Sequence, residues 1–545
     1  MRQRWALLTF LCVSAGWACG GATDTAVGTS AAGDAAPARR AIDVDGGQIT
    51  GIAPAPGDEV WIYKGIPFAA PPVSDLRWRP PQPVAPWTGV KEVKSAAPAC
   101  LQTKRPDDSF YGQIVEAMSE DCLYLNIWTA AQEGAHAPVM VWIHGGGLTS
   151  GHGAEATYDG SALARRGAVI VTVNYRLGAF GYLAHPLLAA ESEHKASGNY
   201  GILDQIAALQ WVQRNIARFG GNPERVTIFG ESAGSWSVHH LVASPLAKGL
   251  FHGAIGQSGG GFGQFGAAYP KAQTEAEGAQ FVKALLGVAA PTPAAMRAKT
   301  GEAILAAVPR GPGSRFSPTI DGWVFPDSIR QIFADGRQNP VPVIVGSTAD
   351  EGTSLGALAG GPVTPETFRA NATKAYGALA KRFLTIYGAA NPNEALKSQD
   401  AAFTDQHFGW EMRTWARLSA ARDIPVYYYF FSRVAPGPDA ARLGAFHASE
   451  IVYVFDNLGK SPFPYANRAY DDTDRALAHQ MASYWVNFAK AGNPNGDGGL
   501  PVWPPYTREK DEVLELGDTI RVSQAVRAAR LDFMDRYDEA RRAHK

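Results

Sequence analysis

The chain has 545 residues, with 50 lysines and arginines against 51 aspartates and glutamates, a formal net charge of −1. That balance, with no basic cluster to track phosphates, gives no electrostatic case for a nucleic-acid partner and points to a small, largely uncharged ligand. Apolar residues at 46% and charged residues at 19% are ordinary for a globular protein, and the chain is long enough for a large core.

Met1-Arg2-Gln3-Arg4, an apolar stretch from Trp5 to Val13 and then small residues have the layout of a secretory signal, read over residues 1–22. The apolar stretch is too short to span a bilayer. Two processing routes are open: cleavage after Ala18, or lipid attachment at Cys19. Residues 20–40, rich in Gly, Ala, Ser, Thr and Asp, suit a tether, whereas Gly16-Trp17 departs from the aliphatic and small residues of a lipobox. Residues 23–40 are read as a flexible linker and 41–545 as the folded domain. The expected location is periplasmic or extracellular, with membrane attachment only through Cys19.

Val139 to Ile143 reads as a buried strand ending in His144-Gly145-Gly146-Gly147. Glycines suit a loop whose backbone N–H groups must point into a pocket, in conformations that a Cβ would obstruct. A phosphate loop is the weaker reading, since no Lys-Ser or Lys-Thr pair follows and G-x-G-x-x-G is not matched. A second apolar run, Val226 to Phe229, leads into Gly230-Glu231-Ser232-Ala233-Gly234, followed by a mostly apolar helical stretch from Ser235 to Ala243. Strand, G-x-S-x-G turn and helix are the parts of a nucleophile elbow, which holds a serine clear of the sheet at a positive helix end. Gly146, Gly147 and the amide of Ala233 are then the candidate oxyanion hole.

Downstream, residues 268–335 carry helical patterns with few strand signals. Pro342 to Gly346 is strand-like and delivers Asp350 and Glu351 to a strand end, where active sites of open α/β sheets lie. A second helical stretch runs from Pro365 to about Arg422, and Val426 to Phe431 is again strand-like. A serine nucleophile needs a base after the acid in this chain order, which leaves His407, His447, His479 and His544. His544 is one residue from the terminus, and His407 and His479 lie in helical patterns. His447 sits on a loop and is the strongest candidate, with His144 a structural partner of the glycine loop. Spacing does not choose between Asp350 and Glu351 as the carboxylate that orients the imidazole.

Taken together, these residues resemble the type-B carboxylesterase/lipase family of α/β-hydrolases. The similarity extends over nearly the whole chain after the leader, from Tyr63-Lys64-Gly65-Ile66-Pro67 through Glu120-Asp121-Cys122-Leu123, Asn174-Tyr175-Arg176-Leu177-Gly178 and Phe219-Gly220-Gly221-Asn222-Pro223 to Gly492-Asn493-Pro494-Asn495. The resemblance implies an α/β-hydrolase fold, a mostly parallel central sheet flanked by helices, with helical insertions covering the active site. It implies Glu351 as the acid, from the Asp-Glu-Gly step, and His447 as the base, from its Gly-x-x-His-x-x-Glu context. Ester hydrolysis through an acyl-enzyme on Ser232 follows, with no cofactor or metal. An amidase, carbamate hydrolase or acyltransferase using the same triad is the alternative chemistry, and a non-catalytic binding module the alternative class.

Of four cysteines, Cys12 and Cys19 belong to the leader, so Cys100 and Cys122 are the remaining pair. Export favours a disulfide between them, similar in position to one in the family. It would close a loop of about twenty residues, for which chain entropy gives roughly 3 kcal/mol. In cholinesterases the corresponding loop supplies a cation-binding tryptophan; Leu101 to Asp121 contains none, which disfavours choline esters, and Phe110 and Tyr111 are read as gorge-lining or packing residues. Gln257-Ser258-Gly259-Gly260-Gly261 is expected to border the acyl side, with glycines leaving room for a bulky acyl group.

Overall fold

The computed structural model describes residues 41–104, 110–111, 115–288, 290–309, 316–356, 363–460 and 468–543. The predicted leader, the linker and Cys19 lie outside them, as does His544.

A ten-stranded sheet forms the centre. In chain order its strands are β1 (Trp61–Pro67), β2 (Tyr124–Thr129), β3 (Ala137–Ile143), β4 (Val169–Val173), β5 (Gly221–Glu231), β6 (Gly253–Gln257), β7 (Val343–Thr348), β8 (Val426–Phe431), β9 (Glu512–Leu516) and β10 (Ile520–Gln524). Their spatial order is β10-β9-β8-β7-β6-β5-β3-β4-β2-β1. Every pairing from β4 through β3, β5, β6, β7 and β8 to β9 is parallel, and only β2 and β10 run against that direction.

Both faces of the parallel strands are covered, so their residues are apolar in unbroken runs rather than in alternation. Along β3 the pleat sends Val139, Val141 and Ile143 into one core and Met140 and Trp142 into the other. The first core is completed by α1 (Tyr200–Asn215) and α2 (Ala233–Ala243), through Ile206, Leu209, Val238 and Leu241. Between β6 and β7 comes α3 (Lys271–Leu286), and between β7 and β8 come α4 (Pro365–Tyr376), α5 (Ala380–Ile386), α6 (Pro392–Thr404) and α7 (Trp410–Ala420). A single π-helical turn, Asp405–Gly409, joins α6 to α7. The second core is closed by α8 (Asp472–Ala491), whose Leu477, Met481, Trp485 and Phe488 recur at helical spacing on one face. Asp471 and Asp474 form a capping box at its start, and Gly492 at φ 68° ends it. The C-terminal helix α9 (Ala528–Ala543) packs on α5 and α7.

The expected α/β class and mostly parallel sheet are observed. Of the two segments read as helical insertions, the second is helical over most of its length, while the described part of the first alternates helices with loops and holds one short strand pair, Tyr269–Pro270 with Thr319–Ile320. All of these insertions leave the sheet where β6 and β7 end, beside the end of β5 that carries Ser232.

Candidate active site

Ser232 stands between the last residue of β5 and the first of α2 with φ 57° and ψ −123°. A non-glycine residue in that region costs roughly 1–3 kcal/mol and persists only where its surroundings hold it. Two contacts do so: the Ser232 N–H donates to the Gln257 carbonyl at 2.9 Å, and Gly234 packs so closely on the end of β3 that a Cβ would lie 2.0 Å from the Ile143 carbonyl oxygen. Ala233 opens α2, so its N–H has no partner within the helix.

That close approach brings the glycine loop alongside. Gly146, at φ 105°, turns its would-be Cβ to within 2.1 Å of the Ser150 carbonyl oxygen. Its own carbonyl accepts the N–H groups of Thr149 and Ser150, at 3.2 and 3.1 Å. Upstream, the Tyr175 hydroxyl donates to the His144 carbonyl at 2.8 Å, and the two rings stack with centroids 4.5 Å apart. Burial pushes His144 down to about 3, so it is a neutral structural ring at physiological pH.

The loop after β8 brings His447 to the serine. Its Nε2 lies 2.9 Å from Ser232 Oγ, and its Nδ1 lies 2.5 Å from Glu351 Oε2. Glu351 is fully buried, and its second oxygen accepts the Thr348 N–H at 2.9 Å. The neighbouring Asp350 points elsewhere: its carboxylate accepts the Ala445 N–H at 2.9 Å, and its own N–H donates to the Ala445 carbonyl at 2.8 Å. Asp350 therefore fastens the loop that carries His447, while Glu351 meets the ring. Tyr111 adds a tie from the disulfide-closed segment, its hydroxyl donating to the His447 carbonyl at 2.6 Å and meeting Ser354 Oγ at 2.7 Å. The other histidines are apart: His479 is a largely exposed residue of α8, and His407 lies in the π-helical turn against Phe265.

Two further buried carboxyls were given no role by the sequence, although Glu450 closes the Gly-x-x-His-x-x-Glu pattern around His447. Glu231 Oε1 is 3.2 Å from His447 Nε2, and Glu450 accepts the Gln257 side-chain amide at 3.3 Å, which in turn accepts the Trp485 indole N–H at 3.1 Å. Burial, reinforced by Glu351 and Glu155, raises Glu231 well above the usual carboxylate range. Burial, reinforced by Glu231 and Glu351, pushes Glu450 up to about 8. Both therefore favour the neutral form, and the Glu231 contact is that of a carboxylic acid with an imidazole rather than an ion pair. The signal available was position: Glu231 precedes Ser232 at the end of a strand with both faces covered, where a charge has no solvent.

On the far side of Ser232 runs the segment after β6. Positions where Cβ atoms would stand on Gly259 and Gly260 are already taken by Ser232 and Trp236 and by Glu411, and a Cβ on Gly261 would meet the Gly266 carbonyl oxygen and His239 at 3.2 and 3.3 Å. The three glycines thus let the segment pack against protein atoms, and the space expected for a bulky acyl group does not lie on that side of the chain. Phe408, from the π-helical turn, completes the surroundings with its ring 4.9 Å from that of His447.

Cys100 and Cys122 form a disulfide, with Cα atoms 4.9 Å apart. Among the described residues no group of His, Cys, Asp and Glu is arranged to hold a metal ion, and no helix is long and apolar enough to cross a membrane.

A serine on a strand-to-helix elbow at the end of a central strand of a mostly parallel sheet, with a histidine and a buried carboxylate from later strand ends, defines an α/β-hydrolase of the ester-cleaving class. The chain belongs to the carboxylesterase family, whose model matches residues 38–534. It is 39% identical over 477 residues to the fumonisin B1 esterase of Sphingopyxis macrogoltabida, covering 85% of this chain and 84% of that protein. It is 35% identical over 470 residues to the para-nitrobenzyl esterase of Bacillus subtilis, covering 84% and 92%. A solved PNB esterase structure superposes with a TM-score of 0.77 at 32% identity, over 91% of this chain and 99% of that one. The protein is a serine carboxylesterase.

Proposed function

We propose that ester cleavage runs through Ser232, His447 and Glu351, on small, largely uncharged carboxylic esters. The observation that carries this reading is the unbroken line of contacts from Glu351 Oε2 to His447 Nδ1 and from His447 Nε2 to Ser232 Oγ. His447 takes the Ser232 proton as the oxygen attacks the ester carbonyl, and Glu351 holds the ring in the tautomer that leaves Nε2 free to accept. The tetrahedral oxyanion forms against the amides of Gly146, Gly147 and Ala233. Collapse expels the alcohol with a proton from His447, leaving an acyl group on Ser232. Water, deprotonated by the same ring, then releases the acid and restores the serine.

The absence of a tryptophan between Leu101 and Asp121 argues against choline esters as substrates. The leader-like residues 1–22 support export, and Cys19 is the proposed point of any lipid attachment. The test is hydrolysis of p-nitrophenyl esters from acetyl to octanoyl, plus one aromatic acyl ester, by the purified protein and by Ser232→Ala. Turnover that vanishes with the substitution supports the reading. Turnover that survives it moves the nucleophile elsewhere.

A further inference from the structure

The segment from Gly259 to Gly266 follows β6 directly and begins against the nucleophile, since a Cβ on Gly259 would lie 2.4 Å from the Ser232 carbonyl oxygen. Four buried side chains grip its backbone. From α2, the Ser235 hydroxyl donates to the Gly259 carbonyl at 2.5 Å, His239 Nδ1 accepts the Gly261 N–H at 2.7 Å, and His240 Nε2 donates to the Gly266 carbonyl at 2.7 Å. From α7, Glu411 accepts the Phe262 N–H on Oε2 at 3.2 Å. Its two carboxylate oxygens also stand where side chains on Gly260 and Gly263 would begin, 2.7 and 2.2 Å from those Cβ positions.

All four are buried, so each bond exchanges without competition from water. Aromatic rings pack the comb in place: His239 stacks on Trp415 at 4.0 Å and meets Phe262 at 4.5 Å, while the Arg330 guanidinium lies 5.4 Å from the centre of the Phe262 ring. At the far end of the segment, Phe265 faces His407 of the π-helical turn at 4.5 Å, one residue from the Phe408 that touches His447. The segment therefore runs from the backbone of Ser232 to the turn beside His447, anchored on the helix that follows the serine.

We propose that Glu411, His239, His240 and Ser235 are positioning residues that set acyl-chain preference by fixing the shape of the Gly259–Gly266 wall, without touching the reacting atoms. This rests on the reading of Ser232 as the nucleophile. Glu411 carries the most contacts and supports the proposal by its state as well. Burial, against the opposing pull of the Gly263 and Phe262 amides and of Arg330, pushes its carboxyl up to about 8, so at neutral pH it is a neutral group that glutamine imitates.

The experiment is kcat and KM for p-nitrophenyl acetate through octanoate with wild type, Glu411→Ala, Glu411→Gln and Ser235→Ala. Glu411→Ala empties the space behind Gly260 and Gly263 and lets the wall recede. The octanoyl-to-acetyl ratio of kcat/KM is expected to rise about tenfold, the scale of one buried hydrogen bond, chiefly through KM for the long chain. Glu411→Gln is expected to restore the wild-type ratio to within about threefold, because one acceptor oxygen is kept. Ser235→Ala, a change small enough to fold whatever Glu411→Ala does, is expected to move the ratio in the same direction by about threefold. A ratio unchanged in Ser235→Ala and Glu411→Ala, or a fall of equal size on every ester, overturns the proposal.

Amide hydrogen exchange over residues 259–266 separates this from the catalytic reading. If wild type cleaves no ester of the series, the Ser232 reading fails on its own, and the wall is judged by exchange alone. Faster exchange there in Glu411→Ala than in Glu411→Gln supports the comb, and equal exchange overturns it.

Discussion

The two sides of Ser232 are held by different means. On the glycine-loop side, close backbone approach sets the shape: Gly146 closes its own turn on the N–H and hydroxyl groups of Thr149 and Ser150, Gly234 presses on the Ile143 carbonyl, and the Tyr175 hydroxyl adds a single side-chain tie to His144. On the opposite side, side chains hold backbone, with Ser235, His239, His240 and Glu411 each gripping one peptide group of the Gly259–Gly266 wall. The first arrangement depends on the absence of side chains and tolerates almost no substitution. The second depends on which side chains two helices happen to present, so it is where a substrate preference can change while the chemistry stays.

Changes at the chemistry should therefore be the most severe and the least selective among esters. Ser232→Ala and His447→Ala are each expected to lower kcat by roughly a millionfold, the loss seen when a triad nucleophile or base is removed. Glu351→Gln should cost about ten-thousandfold, since it favours the wrong tautomer of His447 while leaving the ring in place. Asp350→Asn, by contrast, acts only through the Ala445 contact and should cost far less. Steady-state kinetics on p-nitrophenyl acetate check all four, and an Asp350→Asn loss equal to that of Glu351→Gln would reverse the assignment of the two carboxylates.

Gly146→Ala comes next. A Cβ 2.1 Å from the Ser150 carbonyl oxygen forces the turn to move, and losing one oxyanion donor typically costs about a hundred- to a thousandfold in kcat. The loss should fall equally on acetyl and octanoyl esters, in contrast to the ratio change expected of Glu411→Ala. A selective loss in Gly146→Ala would merge the two sides into one.

The same division explains what the sequence made legible. Ser232, its glycines and the Gly146 loop could be read directly because neighbours in the chain build them, and the sheet that brings them together is announced by apolar runs ending in turns. Asp350 and Glu351 could not be separated by spacing, because the choice turns on one residue of phase as β7 passes into a helical turn. Resemblance to the family pointed to Glu351, and only the register of Asp350 with Ala445 gives the physical reason. The wall was legible in its glycines but not in its anchors. His239 and His240 sit in an ordinary helical pattern, and nothing in the run around Glu411 marks a carboxyl with no exposure; tertiary packing alone puts them against the segment. Three glycines in a row suggested room for a ligand, whereas the room at Gly259 and Gly260 is used by Ser232, Trp236 and Glu411.

Each side of the serine also hides a carboxyl whose ionisation burial opposes, and this yields the smallest expected effect. Glu450, beside Glu231 and Glu351, and Glu411, beside Arg330 with Asp538 further off, are both pushed up to about 8 from an ordinary 4.5. Between those limits the folded chain keeps protons that the unfolded chain has released. More protons bound in the folded state means that the contribution of these two carboxyls to stability declines as pH rises from about 4.5 to about 8, and levels off above it. Buried histidines such as His144, His239 and His240, held neutral in the folded chain, act in the opposite sense below about pH 6.5, so the fall in melting temperature for wild type should be read from pH 7 to pH 8. Glu450→Gln and Glu411→Gln should each flatten the fall, by roughly a few degrees at the upper end, and the double substitution should flatten it further. Some slope should remain, because Glu231 is raised in the same direction. If only Glu450→Gln flattens the curve, then Glu411 is ionised in the folded protein, the wall is held by a charged acceptor, and glutamine is no longer its faithful substitute.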